Sequence, residues 1–196
     1  MVSLRKPSTE TIRAFLAAQS GLDLSYPEVG ATATQPPSGY AVDHTRVRLG
    51  DGEVIFTAAK AALGRWEQFD LGWVQAWSPD DSIRAGGLVG VTGRALGLWW
   101  LNACRVVYVV DERDRPVTRF GFAYGTLPEH AESGEERFLI EWDRAGDGGV
   151  WYDILAFSRP QQFLARLGQP WVRRLQRRFG RDSGKAMARA VALRTA

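Results

Sequence analysis

Cysteine is nearly absent from this chain of 196 residues, where Cys104 stands alone. One thiol excludes an internal disulfide framework and fits a reducing compartment, so a cytoplasmic protein is expected. Histidine is almost as scarce. His44 and His130 lie far apart and share no ligand spacing with Cys104, which removes the usual zinc arrangements. No metal and no cofactor are expected. Long apolar runs are missing too, and nothing approaches the roughly 20 residues that span a bilayer. Near the N-terminus Glu10 and Arg13 interrupt the apolar positions, which argues against a secretory signal. There is no GxSxG elbow, phosphate-binding loop or dinucleotide fingerprint. The glycine-rich GGLVGVTG at positions 86–93 lacks the lysine and the spacing of such loops and reads as a bent strand. Internal repeats, low-complexity segments and long linkers are also lacking, so one domain is expected.

With 45% hydrophobic and 24% charged residues, the composition is that of a globular chain. A domain of this size buries about 70% of the surface its unfolded chain exposes. The net charge of +3 conceals an asymmetry: from Arg159 onward, ten basic residues face Asp182 alone, and the remainder is mildly acidic. A solvated helix face explains such a tail. Attraction to nucleic acid or to an anionic membrane surface is the alternative. No nucleic-acid motif accompanies the tail, and its aromatic residues lie on the apolar stripe rather than among the arginines.

The periodicities predict a helix over 8–20, started at Pro7-Ser8 and stopped at Gly21. A Pro/Gly-rich loop over 26–40 follows, with one short strand near 28–32, and then a strand over 40–50. In EVIFTAAKAALGRW, Phe56, Ala59, Leu63 and Trp66 recur at steps of three and four, which marks an amphipathic helix. Six strands are expected over 71–77, 88–94, 98–110, 117–127, 135–142 and 150–158, joined by turn-like segments. A long helix begins at the cap Ser158 with Pro160 in its first turn, and carries Phe163, Leu167, Trp171, Leu175 and Phe179 on one stripe. Pro170 should kink it and Gly180 should end it, with a short further helix over 183–193.

Consecutive strands with short joints imply an antiparallel meander. The fold class is therefore α+β, a curved antiparallel sheet of about six to seven strands wrapped around a long C-terminal helix. That order is similar to the helix-grip arrangement of the START and birch-pollen-allergen superfamily, which implies a cavity between sheet and helix. The phrases YPEVGAT, GYAVDHTRVRLG, LNACRVVYV, GFAYGTLPEHAESGEERF, WYDILAFSRP and LGQPWVRRLQRRF narrow the likeness. Over roughly 26–187 the chain resembles a family of bacteria and plants described as domain of unknown function 1990, a resemblance that implies no particular activity. The division expected is an N-terminal helical extension over 1–25 and a helix-grip domain over 26–196.

Alternation sorts the strand residues by face. Trp100, Asn102, Cys104, Val106 and Tyr108 share one side; so do Phe120, Phe122, Tyr124 and Thr126; so do Glu136, Phe138, Ile140 and Trp142; so do Tyr152, Ile154, Ala156 and Ser158. These sets are assigned to the concave side, an apolar hollow with a few convergent polar groups, as small-molecule pockets are built. The competing reading is a filled core. Glu136 should either have its pKa raised by burial or pair with Arg46 or Arg105. His130 and Glu132 read as solvated turn residues, while His44 and Arg46 share a strand face and are candidates for an anionic ligand group.

The candidate ligand-binding residues are thus Trp100, Asn102, Tyr108, Phe122, Tyr124, Thr126, Glu136, Tyr152, His44 and Arg46, with no catalytic residue assigned. The expected partner is a small hydrophobic or amphipathic molecule. A cyclase- or hydrolase-type enzyme drawing on Glu136, Tyr124, Tyr152 and His44 is the alternative, and basic-tail binding to nucleic acid or anionic membrane a second. The adjacent Trp99 and Trp100 cannot both face the hollow, and an exposed aromatic there would suggest a homodimer.

Overall fold

The computed structural model describes residues 1–80, 82–113, 115–161 and 169–195. Among the described residues eight strands and three α-helices follow one another: β1 (Val2–Ser3), α1 (Thr9–Gln19), β2 (Ala41–Asp51), α2 (Gly52–Gly64), β3 (Val74–Trp77), β4 (Leu88–Ala95), β5 (Leu98–Glu112), β6 (Val117–Thr126), β7 (Glu132–Asp143), β8 (Gly149–Pro160) and α3 (Gln169–Thr195). Seven strands lie in the order β2-β8-β7-β6-β5-β4-β3, every neighbouring pair antiparallel, and β1 adds to β5. From β3 to β8 the strands form a meander, which the β2–β3 connection does not follow. It carries α2 across from one edge of the sheet to the other, and β8 returns to lie beside β2.

Ser8 caps α1, its hydroxyl accepting from the amide of Thr11 at 3.1 Å, and Ile12 and Leu16 pack with Leu101, Ala103 and Leu127 on the convex side. The loop after α1 forms no strand. It makes a single 3-10 turn at Ala31–Ala33 and is pinned to the convex face through Glu135. That buried carboxylate accepts from the Tyr26 hydroxyl at 2.6 Å, the Gly30 amide at 2.7 Å, the Thr32 amide at 3.0 Å and the Thr32 hydroxyl. Small residues on β6 make room: a Cβ on Gly125 would lie 2.2 Å from the Tyr26 hydroxyl.

α2 lays Ala58, Ala59, Ala62 and Leu63 onto the concave face. β3 begins at Val74, three residues after its expected start. β8 runs on through Ser158 and Pro160, so those residues end a strand and start no helix. Phe163 and Leu167, expected on the stripe, lie outside the described residues. Because α3 opens at Gln169, Pro170 sits in its first turn, where a missing amide donor is tolerated. Gly180 does not end the helix either, and 183–193 belong to the same α3. Its glycines allow close approach: a Cβ on Gly180 would meet the Thr45 hydroxyl at 2.5 Å, and one on Gly184 would meet Val47 Cγ2 at 2.8 Å. That contact offsets the roughly 1 kcal/mol a helical glycine costs.

Burial along α3 is graded, and the gradient positions the site. Trp171 is 44% exposed, Leu175 and Phe179 are partly buried, and Ser183, Met187 and Val191 are closed off. The C-terminal half of α3 therefore seals against the sheet and α2, where Phe122, Ile140 and Tyr152 are fully buried. The N-terminal half meets the sheet along β2 and β8, through Arg173 on Asp43, Gln176 on Ser158 and Gly180 against Thr45, and leaves a space over the strands beyond.

Candidate functional site

Register places the site residues in rows across the sheet. Val106, Tyr124, Glu136, Ala156 and Asp43 are successive partners from β5 to β2, so all five side chains share the concave face. Over that row and the one beyond it, beneath the N-terminal half of α3, lies a cavity of about 740 Å³, within the usual range for small-ligand pockets. Its walls are Trp73, Val91, Trp100 and Ile154, with Leu175 and Phe179 above. Aromatic packing closes the inner end, the Phe69 ring lying 5.3 Å from that of Phe179 and 5.6 Å from that of Phe138. Exposed Arg94, Leu96, Trp171, Arg177 and Arg181 form the rim.

The polar groups inside include the carboxyls of Asp43, Glu132 and Glu136. Tyr124 donates its hydroxyl proton to Glu136 Oε2 at 2.7 Å. Among the described residues no cation pairs with Glu136: Arg46 lies on the other face, and Arg105 is bound to the Gln19 and Ser20 carbonyls at the end of α1. Burial therefore dominates and raises Glu136 to about 7, with nearby Asp43 adding to the rise and the Tyr124 hydrogen bond opposing it. Burial likewise raises Tyr124 and the Cys104 thiol, which keeps Cys104 inert. Asp43 is held by a bidentate pair with Arg173 of α3, one arm at 2.8 Å. Arg173 also donates to Gln176, which donates to Ser158 at 2.9 Å.

Of the expected residues, Trp100, Asn102, Tyr124, Thr126 and Glu136 line this cavity, and His44 borders it with its ring turned away to Asp153. Thr126 spends its hydroxyl on Ser25 and Gly134, and Asn102 accepts from the Ala131 amide at 3.3 Å. Phe122 and Tyr152 face the same side but belong to the filled core, the Tyr152 hydroxyl meeting that of Ser183 at 2.8 Å. Tyr108 is on the opposite face. The register slips between Val106 and Tyr108, leaving Val107 unpaired; this bulge reverses the alternation, and Tyr108 bonds Thr32 at 2.8 Å on the convex side. The side chains of His44 and Arg46 are convex too. His44 donates to Asp153 at 2.7 Å and Arg46 binds Asp153 and Glu141, with Arg137 on Asp153 at 2.9 Å. Burial would raise Asp153, but the hydrogen bonds from His44 and Arg137 outweigh it and hold the carboxyl below its ordinary range. Trp99 is half-buried beneath Lys6 and Arg94.

Two cavity residues were read from the sequence as solvated. Glu132 opens β7 and is buried; burial raises its carboxyl against the opposing hydrogen bonding of Ser158 and Gln176 and the charge of Arg173, and its Oε1 is enclosed without a hydrogen-bond partner. His130 lines the same space. Its Nδ1 accepts from the Glu132 amide at 3.0 Å, and burial lowers its pKa to about 4, so the ring is neutral. Among the described residues no group of three or more His, Cys, Asp or Glu is arranged to hold a metal ion, and no helix is long and apolar enough to cross a membrane.

Residues 25–186 match the domain of unknown function DUF1990. The chain belongs to that family. A UPF0548 protein of Dictyostelium discoideum is 36% identical over 97% of this chain and 96% of its own length. One from Deinococcus radiodurans is 38% identical, over 97% and 99%. Coverage this complete takes in α1 as well as the residues of the family match. Among solved structures, a protein from Thermus thermophilus, TTHA0849, superposes with a TM-score of 0.55 over 80% of this chain and all of its own, at 11% identity. The DUF1990 chain therefore has the helix-grip fold, a curled antiparallel half-barrel closed by its C-terminal helix.

Proposed function

We propose that this DUF1990 protein binds a small hydrophobic or amphipathic molecule, without covalent chemistry, in the cavity between the concave sheet and α3. One observation carries the reading: between the concave sheet and the N-terminal half of α3, which meets the sheet along β2 and β8, an unfilled space remains. An interior of native packing density leaves few voids larger than a water molecule, whereas this space is about 740 Å³. Its walls are mostly apolar, with a few polar groups converging on it. Titration with Nile red tests it. The dye should brighten and saturate with the wild-type chain, and Ala156→Trp, which fills the cavity beside Glu136, should weaken binding about tenfold or more. Equal binding by both chains would refute the placement.

A second reading has a specific observation in its favour. Tyr124 and Glu136 are within hydrogen-bond reach of each other and face the cavity, and a carboxyl near 7 suits proton transfer at neutral pH. An acid–base enzyme of cyclase or hydrolase type would use that pair. Incubating a metabolite extract with wild type and with Glu136→Gln separates the readings. A compound consumed only by wild type supports the enzyme, and identical extracts dismiss it.

The exposed basic face of α3 supports a membrane or nucleic-acid role less well. Arg173, Arg178 and Arg194 are already engaged with Asp43, Asp182 and Glu67.

A further inference from the structure

Two-residue hairpin turns with positive φ at both central residues are dominated by Asn, Asp and Gly. The β4–β5 hairpin pairs Ala95 with Leu98 and turns through Leu96 and Gly97, at φ of 53° and 78°. Leucine suits the left-handed region poorly, because its Cβ crowds the following carbonyl oxygen. Packing does not explain its presence, since the side chain is 75% exposed. A strained backbone that holds an apolar side chain out to water points to a function for that side chain.

Leu96 is not alone. It borders the cavity together with Trp171, which is exposed in the first turn of α3. Singly, exposed apolar residues are ordinary on a surface; here two from separate elements meet at one rim. Beside them runs the outward face of α3. Arg173, Arg178 and Arg194 spend their charge on acids of the chain. Arg174, Arg177, Arg181, Lys185 and Arg189 recur at steps of three and four and are all exposed, so five positive charges share one side of the helix. Arg177 and Arg181 border the cavity as well. Charge alone does not choose between polyanions. The leucine and tryptophan do, because they call for hydrocarbon beside the phosphates, and a bilayer offers both within a few ångströms.

We propose that the rim of the cavity docks on an anionic phospholipid bilayer, with Leu96 inserted below the headgroups, Trp171 at their level and the basic stripe of α3 against their phosphates. Tryptophan favours that level because its ring is apolar and its N–H is not. The proposal rests on the cavity reading above and adds the partner of that site. An apolar or amphipathic guest is unfavourable in water. An opening set against the bilayer lets it pass between hydrocarbon and cavity without crossing the bulk solvent.

The test is flotation of the full chain with vesicles of phosphatidylcholine, either alone or mixed with phosphatidylglycerol. Partition into the anionic vesicles should be at least about tenfold stronger than into the neutral ones, and should weaken as salt is raised. Leu96→Asn relieves the turn, so it should unfold no lower than wild type. It should nevertheless partition about tenfold less, because the leucine's transfer into hydrocarbon is lost. Arg177→Glu/Arg181→Glu should abolish the preference for anionic lipid. Equal partition of wild type and Leu96→Asn, or of neutral and anionic vesicles, overturns the proposal. A dimer in light scattering that Leu96→Asn dissolves overturns it in favour of a second copy of the chain. Salt-sensitive binding to a duplex oligonucleotide with no flotation overturns it in favour of nucleic acid. Nile red titration alongside keeps the two readings apart. Dye binding without flotation sinks the docking and leaves the cavity reading intact, whereas flotation without dye binding sinks the cavity reading and the passage of a guest with it.

Discussion

Replacing Glu136 with glutamine should stabilise the protein, and the gain should depend on pH. In the folded chain burial raises this carboxyl from an ordinary 4.5 to about 7. The folded state thus holds the proton more tightly than the unfolded state. The stability this confers is present below about pH 4.5 and lost as pH climbs through 7, because only the unfolded chain ionises freely in that window. At about 1.4 kcal/mol per pH unit, the gap makes ionisation of Glu136 cost about 3 kcal/mol by pH 8 and under about 1 kcal/mol at pH 5. Glutamine keeps the shape and an oxygen to accept from Tyr124, but has no proton to lose. Urea unfolding followed by tryptophan fluorescence should therefore show Glu136→Gln more stable than wild type by about 3 kcal/mol at pH 8, the two nearly converging at pH 5. For a domain of this size that corresponds to about 6–12 °C in Tm. Parallel stability curves for the two proteins across this range would refute the claim that Glu136 is buried without a cation.

Three further outcomes follow from the packing. Glu135→Ala strips the acceptor from Tyr26, Gly30 and Thr32, and thermal unfolding should show a loss of about 3–5 kcal/mol; proteolysis should then cut within 26–34. Gly184→Leu forces a side chain into Val47, already 2.8 Å from where a Cβ would stand, and should cost about 1–3 kcal/mol or more by denaturant titration. Trp171→Ala, at an exposed rim position, should change stability by no more than about 0.5 kcal/mol, yet alter the rate at which Nile red enters and leaves by stopped-flow fluorescence.

Much of this was legible in the sequence because the concave strands alternate without interruption where it matters. From Phe120 to Thr126 and from Glu136 to Trp142, every second residue faces the concave side, as the pattern implies. Tyr108 was misplaced because a bulge is a local backbone event with no signature in VVYVV. His44 and Arg46 were assigned to the wrong side for another reason. Alternation says which residues share a face but not which face is inside, and on β2 the concave set is Asp43, Thr45 and Val47 under α3. Glu132 and His130 sit among Pro128 and Gly134, which read as a solvated turn; only the return of β8 and the approach of α3 bury them. Glu135 gave no sign of its role, since its partners come from residues 26–32, over a hundred positions earlier. Gly180 looked like a helix stop because its close contact with Thr45 is invisible along the chain.

The space beneath α3 is tested most directly by an amide chemical-shift map of the labelled chain titrated with decanol, a neutral probe that favours neither the carboxyls nor the rim arginines. The account predicts saturable shifts gathered at Val91, Trp100, Tyr124, Leu175 and Phe179, with the sealed half around Met187 and Val191 unmoved. Shifts scattered over the exposed face of α3, or none at all, would contradict it.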